Sequence, residues 1–292
     1  MLPFGADSEY GMLKAVLLAK PRSCAAGAVH PRRVLHLKAL HEATLKREYG
    51  RLVKTYRRLG IKTFFIRVRP GQAGERLALF NIMFTRDLFF MTPRGCILSR
   101  MSLRVRRDEV IYAAGALRAL GVPVLYSVAG GGTFEGADAL WVNDRLVVIG
   151  VGRRTNREGF RQVKEVLARQ RVDGVHVPAP KRTRHLLGAV QRVAPDLAFV
   201  REALVDGEIL RLLKKNKVDV IPVRETREVA LRQALNVVVT APRRIIMPAG
   251  CPATRRMYEQ AGLTVEAEVP VSQFVRAAGG LACAAGVIAR RL

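Results

Sequence analysis

Apolar and polar positions along this chain follow a unit that repeats. Each copy has two short apolar runs joined by a polar turn, then a stretch with helical periodicity, then a third apolar run. The clearest copy opens with Leu88–Met91 and Cys96–Leu98 around Thr92-Pro93-Arg94-Gly95, where Pro and Gly mark a turn between two strands. From about Arg106 to Leu120 the apolar positions Val110, Ala113, Ala114, Leu117 and Leu120 form the stripe of an amphipathic helix. Gly121 is placed to end that helix, and Val122–Val128 reads as the third strand.

The same reading gives strands at Ala139–Val142, Leu146–Val151 and Gly174–Pro178, with a helix from Arg157 to Arg169. A third copy has strands at Leu186–Val193, Leu197–Val200 and Asp219–Val223 and a helix over Arg201–Leu213. A fourth has strands at Asn236–Thr240, Arg244–Pro248 and Thr264–Val269 and a helix over Ala253–Ala261. The last hairpin starts near Gly280. It needs the N-terminal strand Lys14–Ala19, the helix Glu42–Leu59 and the strand Lys62–Val68 to complete a fifth copy from both chain ends. Regular repetition at this spacing predicts a radially repeated α/β architecture of five blades in one domain spanning residues 1–292. A doubly wound dinucleotide fold is disfavoured. No G-x-G-x-x-G follows a strand, and Gly130-Gly131-Gly132 lacks the Lys-Ser/Thr of a phosphate loop.

Composition narrows the class. The 292 residues are 49% hydrophobic, enough for a large core. No apolar run reaches about 18 residues, so no membrane span is expected. The N-terminus lacks the basic-then-apolar pattern of a signal peptide. Four cysteines without a C-x-x-C pair argue against a disulfide framework or a zinc ribbon, and a reducing, cytoplasmic setting is expected. The formal net charge is +26, with the cations scattered through every segment and aromatic content only 6%. Such a surface attracts polyanions in a salt-dependent way. It lacks the stacking platforms of a dedicated nucleic-acid binder, so specific nucleic-acid recognition is not expected. A homo-oligomer is compatible with the sequence, which does not fix the oligomeric state.

In a five-fold ring the loops at one end converge on the axis, so polar residues at equivalent hairpin starts are candidates for chemistry. They are Asp87, the pair Glu135 and Asp138, His185, and Cys283 after the pair Gly279-Gly280. Each directly precedes an apolar run. Singly, each has a plain structural explanation: a capping carboxylate, a packed histidine, a small core thiol. Together they are a nucleophile, an acid–base group and carboxylates at corresponding places. Cys24, Cys96 and Cys251 have no such context and read as structural, and His30, His36, His41 and His176 as surface or packing residues.

These segments resemble the guanidino-group-modifying enzymes, which include arginine deiminases, dimethylarginine dimethylaminohydrolases and amidinotransferases. The resemblance begins at Ser8–Leu18. It continues through Asn81-Ile82-Met83-Phe84-Thr85-Arg86-Asp87, Arg106–Glu109, Phe134–Asp138 and Gly150–Asn156, and ends at His185-Leu186 and Gly279–Cys283. It implies a five-bladed pseudo-symmetric α/β propeller, the pentein fold. It also implies a hydrolase acting on C–N bonds of linear amidines, through a covalent thiouronium on the guanidinium carbon of arginine or a methylated arginine. Cys283 would be the nucleophile, His185 the general acid and then base, and Glu135 the group orienting the imidazole. Asp87 and Asp138 would serve the substrate guanidinium site, and Asn81, Arg106 and Arg154 would contact the substrate's α-amino acid end. No metal or cofactor is implied; the partner is a small guanidino compound.

Two departures bear on the substrate. Leu187 stands where deiminases and amidinotransferases carry an Asp that makes a second guanidinium contact, and Arg86 stands where the dimethylarginine hydrolases have an acidic residue. An amidinotransferase would use the same residues, and a non-catalytic binder of arginine or polyanions is the alternative from another class.

Overall fold

The computed structural model describes residues 4–22, 30–68 and 79–291. Cys24 lies outside them. Among the described residues, fifteen strands form five three-stranded sheets, each an antiparallel pair extended by a parallel third strand.

The first sheet contains β1 (Met12–Ala19), followed by α1 (Glu42–Arg58) and β2 (Lys62–Ile66). The second is β3 (Phe89–Thr92), β4 (Gly95–Leu98), α2 (Glu109–Ala119) and β5 (Val124–Ser127). The third is β6 (Ala139–Asn143), β7 (Leu146–Val151), α3 (Arg157–Ala168) and β8 (Asp173–Pro178). The fourth is β9 (Val190–Ala194), β10 (Leu197–Val200), α4 (Gly207–Lys215) and β11 (Asp219–Pro222). After the short helix α5 (Arg227–Arg232) comes the fifth: β12 (Val238–Ala241), β13 (Arg244–Pro248), α6 (Pro252–Gln260) and β14 (Thr264–Val269). A further short helix, α7 (Ser272–Arg276), leads to β15 (Gly286–Arg291). β15 pairs antiparallel with β1, Val16 opposite Val287, so the first sheet is completed from both chain ends as expected.

Contacts between sheets run in a cycle. β15 touches β3, β3 touches the turn ahead of β6, and β6 and β9 share the turn Leu186–Gly188. β9 then touches β12, and β12 touches β1. The leading strand of each sheet, the one nearest this cycle, is buried almost throughout (β3, β9) because it packs on both faces. Trp141, Phe134, Phe199, Phe274 and Leu17 are among the largest fully buried side chains.

Several elements differ from the sequence expectation. The helix expected from Arg106 starts at Glu109, and Arg104–Arg106 is a single tight turn. The helix expected over Arg201–Leu213 starts only at Gly207, because Asp206 accepts the Glu208 N–H and caps it there. Leu186–Gly188 is a turn and the strand begins at Val190. α5 and α7 fall in stretches to which the sequence reading assigns no element. Gly121 does follow α2 with a left-handed φ of +74°.

Gly136 sits between Glu135 and Asp138 and lies against the backbone of the second sheet. A Cβ there would stand 2.3 Å from the Phe89 carbonyl oxygen and 2.7 Å from that of Arg86. Gly136→Ala should therefore cost about 1–3 kcal/mol and disturb both carboxylates. Gly115 in α2 has open space where its Cβ would be, so Gly115→Ala should add up to about 1 kcal/mol. Chemical denaturation of the two variants checks this pair of opposite signs; a Gly136→Ala protein as stable as wild type would mean that the approach is not tight.

Candidate active site

The turns ahead of the leading strands deliver the candidate residues. Thr85–Asp87 is a tight turn entering β3, Gly136–Asp138 one entering β6, Leu186–Gly188 one before β9, and Ala282–Ala284 one before β15. Asp87, His185 and Cys283 line one cavity of about 190 Å³. Phe84, Leu187 and Asn236 share its wall. Gly279 and Gly280 allow this closeness: a Cβ on Gly280 would lie 2.6 Å from the Asn236 side chain, and one on Gly279 2.4 Å from the Phe84 ring.

Asp87 is buried, and its carboxylate is asymmetric. Oδ2 accepts from Arg106 Nη1 at 2.5 Å, whereas Oδ1 has no hydrogen-bond partner, and His185 Nδ1 stands 3.7 Å from it. Arg106 is fully engaged on the far side: Nε donates to Glu109 at 2.9 Å, and Nη2 to the Asn81 carbonyl at 3.3 Å. Glu109 Oε1 in turn accepts the Asn81 N–H at 3.0 Å. Burial pushes Glu109 up to about 7, partly offset by Arg106.

His185 Nε2 meets Glu135 Oε2 at 2.7 Å. The other carboxylate oxygen accepts from the Ser102 hydroxyl at 2.9 Å and the Ser102 N–H at 3.2 Å, with Arg154 Nη1 3.6 Å away. Burial opposes the Glu135 charge, but the His185 hydrogen bond and the nearby cations prevail and hold it at about 2. Burial works against the imidazolium too, yet Asp87, Asp138 and Glu135 raise His185 to about 9. Asp138 is pushed up to about 7 by burial. Both of its oxygens are occupied, one by the Thr155 hydroxyl at 2.8 Å and one by the Leu186 N–H at 3.2 Å, so it fixes the backbone that carries His185.

Cys283 Sγ accepts from Asn236 Nδ2 at 3.3 Å, and Asn236 Oδ1 accepts the N–H of Ala282 at 2.7 Å. Burial and the Asp87 charge raise the Cys283 thiol to about 11, against the Asn236 hydrogen bond. Cys96 and Cys251, by contrast, are buried within apolar clusters. His36 packs edge-on to Phe80, His41 caps α1, and His176 lies against Phe160.

The structure thus brings Asp87, Glu135, His185 and Cys283 together, with Asp138 behind the histidine. Asn81, Arg106 and Arg154 do not line the cavity; they support the carboxylates from behind. The wall carries Arg182, Arg184 and Arg201 instead. Arg201 is held in two hydrogen bonds of 2.6 Å by Glu225. Arg184 is close enough to Arg154 and Arg106 for both to lower its pKa, after burial, which lowers it most. The sequence reading missed Asn236, Ser102, Thr155 and Arg184. Asn236 had a detectable signal, since it opens the one repeat for which no hairpin-start residue was chosen.

Asp87, Glu135 and His185 also offer one donor atom each within 4.8 Å of one another, a set that could hold a metal ion. They are far apart in sequence, which hid the cluster. The 2.7 Å His185–Glu135 contact leaves no room for an ion between those two atoms. A flat organic cation that donates hydrogen bonds to Asp87 Oδ1 suits the same charge without parting the pair.

Comparisons agree with a guanidino chemistry. The arginine deiminase family model matches residues 78–189. A dimethylarginine dimethylaminohydrolase of Pseudomonas aeruginosa is 27% identical over 69% of this chain and 74% of its own. An arginine deiminase of Borrelia duttonii is 25% identical over 70% of this chain and 59% of its own, so the match spans less than two thirds of that enzyme. The solved structure of an amidinotransferase from Microseira wollei, of the saxitoxin biosynthetic pathway, superposes with a TM-score of 0.80 at 16% identity, covering 100% of this chain and 98% of that one. At that identity the likeness is one of fold.

Removing the carboxylate that faces His185 should lower the histidine's pKa. Glu135→Gln should move it from about 9 toward the ordinary 6.5, read by NMR titration of the imidazole. A value that stays near 9 would mean that Asp87 and Asp138 alone set it.

Proposed function

Since the chain belongs to the guanidino-group-modifying superfamily, we propose that it is a cysteine-dependent hydrolase acting on the guanidinium carbon of arginine or a methylated arginine. One observation carries the reading above all. A buried carboxylate oxygen, Asp87 Oδ1, is left unpaired on the wall of a cavity that also holds a thiol and a histidine bonded to a carboxylate.

The guanidinium binds with its N–H groups on Asp87 Oδ1. This keeps it cationic and fixes its plane, so its carbon is presented to Cys283 Sγ. The bound cation also offsets the Asp87 charge, one of the two effects that raise the thiol, and so promotes the thiolate when substrate is in place. Sulfur attacks the carbon to give a tetrahedral adduct. His185, an imidazolium at neutral pH, hands its proton to the departing nitrogen. Ammonia or methylamine leaves, and an S-alkylthiouronium remains on Cys283. His185, now neutral, takes a proton from water as the water oxygen attacks the same carbon. Collapse expels the thiol and releases a urea, citrulline in the case of arginine. Glu135 stabilises the imidazolium and fixes the ring throughout. Arg182 and Arg184 on the cavity wall supply positive charge for the substrate's carboxylate. Leu187 presents an apolar surface where an N–H partner would otherwise be demanded, which favours tolerance of an N-methyl group.

Mass spectrometry of products tests the assignment, with arginine, monomethylarginine and agmatine as substrates. Citrulline is expected from the first two, with agmatine, which lacks the carboxylate, turned over more poorly. Ornithine formed only when an amine acceptor is supplied would point to group transfer, and unchanged substrates to a binder without turnover. Cys283→Ser should lose at least about 10³-fold in rate while remaining folded. In His185→Gly an adduct on Cys283 should accumulate. Activity retained by the serine variant would remove Cys283 from the chemistry.

The proton inventory predicts the pH profile. With Cys283 at about 11 and His185 at about 9, both hold protons at neutral pH, one more than the reactive thiolate–imidazolium pair. kcat/KM should therefore rise about tenfold per pH unit up to about 9 and then level. In kcat the rise should lie at lower pH, because bound substrate has already lowered the thiol. A profile flat from pH 6 to 8 would show that the pair is ionised before substrate arrives.

A further inference from the structure

Where the five leading strands converge lies a second, smaller cavity of about 30 Å³, lined by β6, β9, β12 and β15 together with Glu9 and Arg86. Leu187 is its partition from the active-site cavity, lining both. Its polar character is unusual for the core of a ring. Arg86, Arg192 and Arg290 are all more than nine-tenths buried and all line it.

Glu9 is the carboxylate on its wall. Glu9 Oε1 accepts from Arg86 Nη2 at 2.9 Å and from the Trp141 N–H at 3.2 Å. Apart from a side-chain interaction of Arg192 with Tyr10, the other contacts of the arginines are to backbone carbonyls, which accept hydrogen bonds but carry no charge. Arg86 Nη2 reaches Ala139 at 3.2 Å, Arg192 Nη2 reaches Val142 at 2.8 Å, and Arg290 Nη1 reaches Gly11 at 2.6 Å. The Arg192 guanidinium also lies 5.3 Å from the Tyr10 ring centroid. Four guanidinium nitrogens remain buried without a partner: Arg86 Nε, Arg192 Nε, Arg192 Nη1 and Arg290 Nε.

Three buried cations line the cavity with one carboxylate, and the further charge that reaches Arg192, from Asp196, lies outside it. Positive charge is therefore in excess within the cavity, which is costly in a low-dielectric interior. Arginine does not escape by losing its proton. The cost is relieved by a negative charge within reach of the unpaired N–H groups. The space decides its size. A volume of about 30 Å³ takes one or two water-sized bodies, enough for a monatomic ion but too little for a tetrahedral oxyanion with its hydrogen bonds. We propose that this cavity is a binding site for one small inorganic monoanion of the halide class, held by Arg86, Arg192 and Arg290. The ion ties the N-terminal segment, the second, fourth and first sheets together, and its role is structural rather than chemical.

Bromide is the probe. Crystals of the whole protein grown or soaked in bromide should show an anomalous peak within hydrogen-bonding reach of the Arg192 and Arg290 nitrogens. Thermal unfolding, at constant ionic strength, should shift upward by about 2–4 °C as bromide or chloride replaces gluconate, and should saturate. Arg192→Met should lose that saturable part. Bromide found only on exterior arginines, an adventitious ion only, would overturn the proposal. So would a cavity without an anomalous peak, or a shift that grows without saturation and persists in Arg192→Met. If Arg192→Met does not fold, the anomalous map of the wild-type protein decides alone.

Discussion

The candidate site turns on the unequal treatment of the two oxygens of Asp87. One is gripped by Arg106 at 2.5 Å; the other is buried and unpaired. A buried carboxylate half satisfied in this way is expensive, and the protein maintains it through a chain of fixed partners: Arg106, then Glu109, then the backbone of Asn81. That chain makes Asp87 rigid. The open oxygen is then a preformed acceptor aimed at the cavity, ready for a cation that brings its own N–H groups. Arg106 serves this end from behind, as an anchor rather than a contact. Its pKa is raised by Glu109 and Asp87 despite burial, so the anchor holds its charge.

From Asp87 the rest of the electrostatics follows. Its charge helps to raise both His185 and Cys283, so a neutral thiol and a charged imidazole share one cavity. A resting thiol resists adventitious oxidation and alkylation. On the proposed function, the substrate's own positive charge changes the balance, so that the thiolate would be best formed when there is something to attack. Asp138, which the sequence suggested for the guanidinium, spends both oxygens on Thr155 and Leu186. With Leu187 beside it, the cavity has one acceptor wall and one apolar wall.

The repeat made much of this visible in the sequence. Strand pairs, marked in two copies by the turns Thr92–Gly95 and Asn143-Asp144 and followed by a 3.6-residue periodicity, pointed to five copies and the joining of both chain ends. Because those copies place hairpin starts at equivalent points, Asp87, Glu135, His185 and Cys283 could be picked out by position. Asn236 occupies the same position in its copy but carries no charge, and a search for titratable groups passes over it. Ser102 and Thr155 lie in loops whose course only the folded chain defines. The resemblance places Arg106 at the substrate's α-amino acid end; its pairing with Glu109, three residues on, emerges only in the folded chain. α5 and α7 have six and five residues, too few for a periodic pattern to emerge.

The overall charge sharpens the question of what enters. A protein of net charge +26 repels cations at a distance, yet its cavity is built around an anionic oxygen that wants one. Free guanidinium or a dicationic amine pays that repulsion with no return at the rim. On the proposed function, an amino acid with a guanidino side chain, of net charge about +1, would meet Arg182 and Arg184 with its carboxylate while its guanidinium goes on to Asp87. The field of the protein and the field of the cavity then act on opposite ends of one molecule. Molecules of that polarity would be oriented before they arrive, carboxylate toward the arginines of the cavity wall and guanidinium toward the carboxylates. On that reading the excess of arginine is part of the selection of substrate, rather than a surface feature unrelated to it.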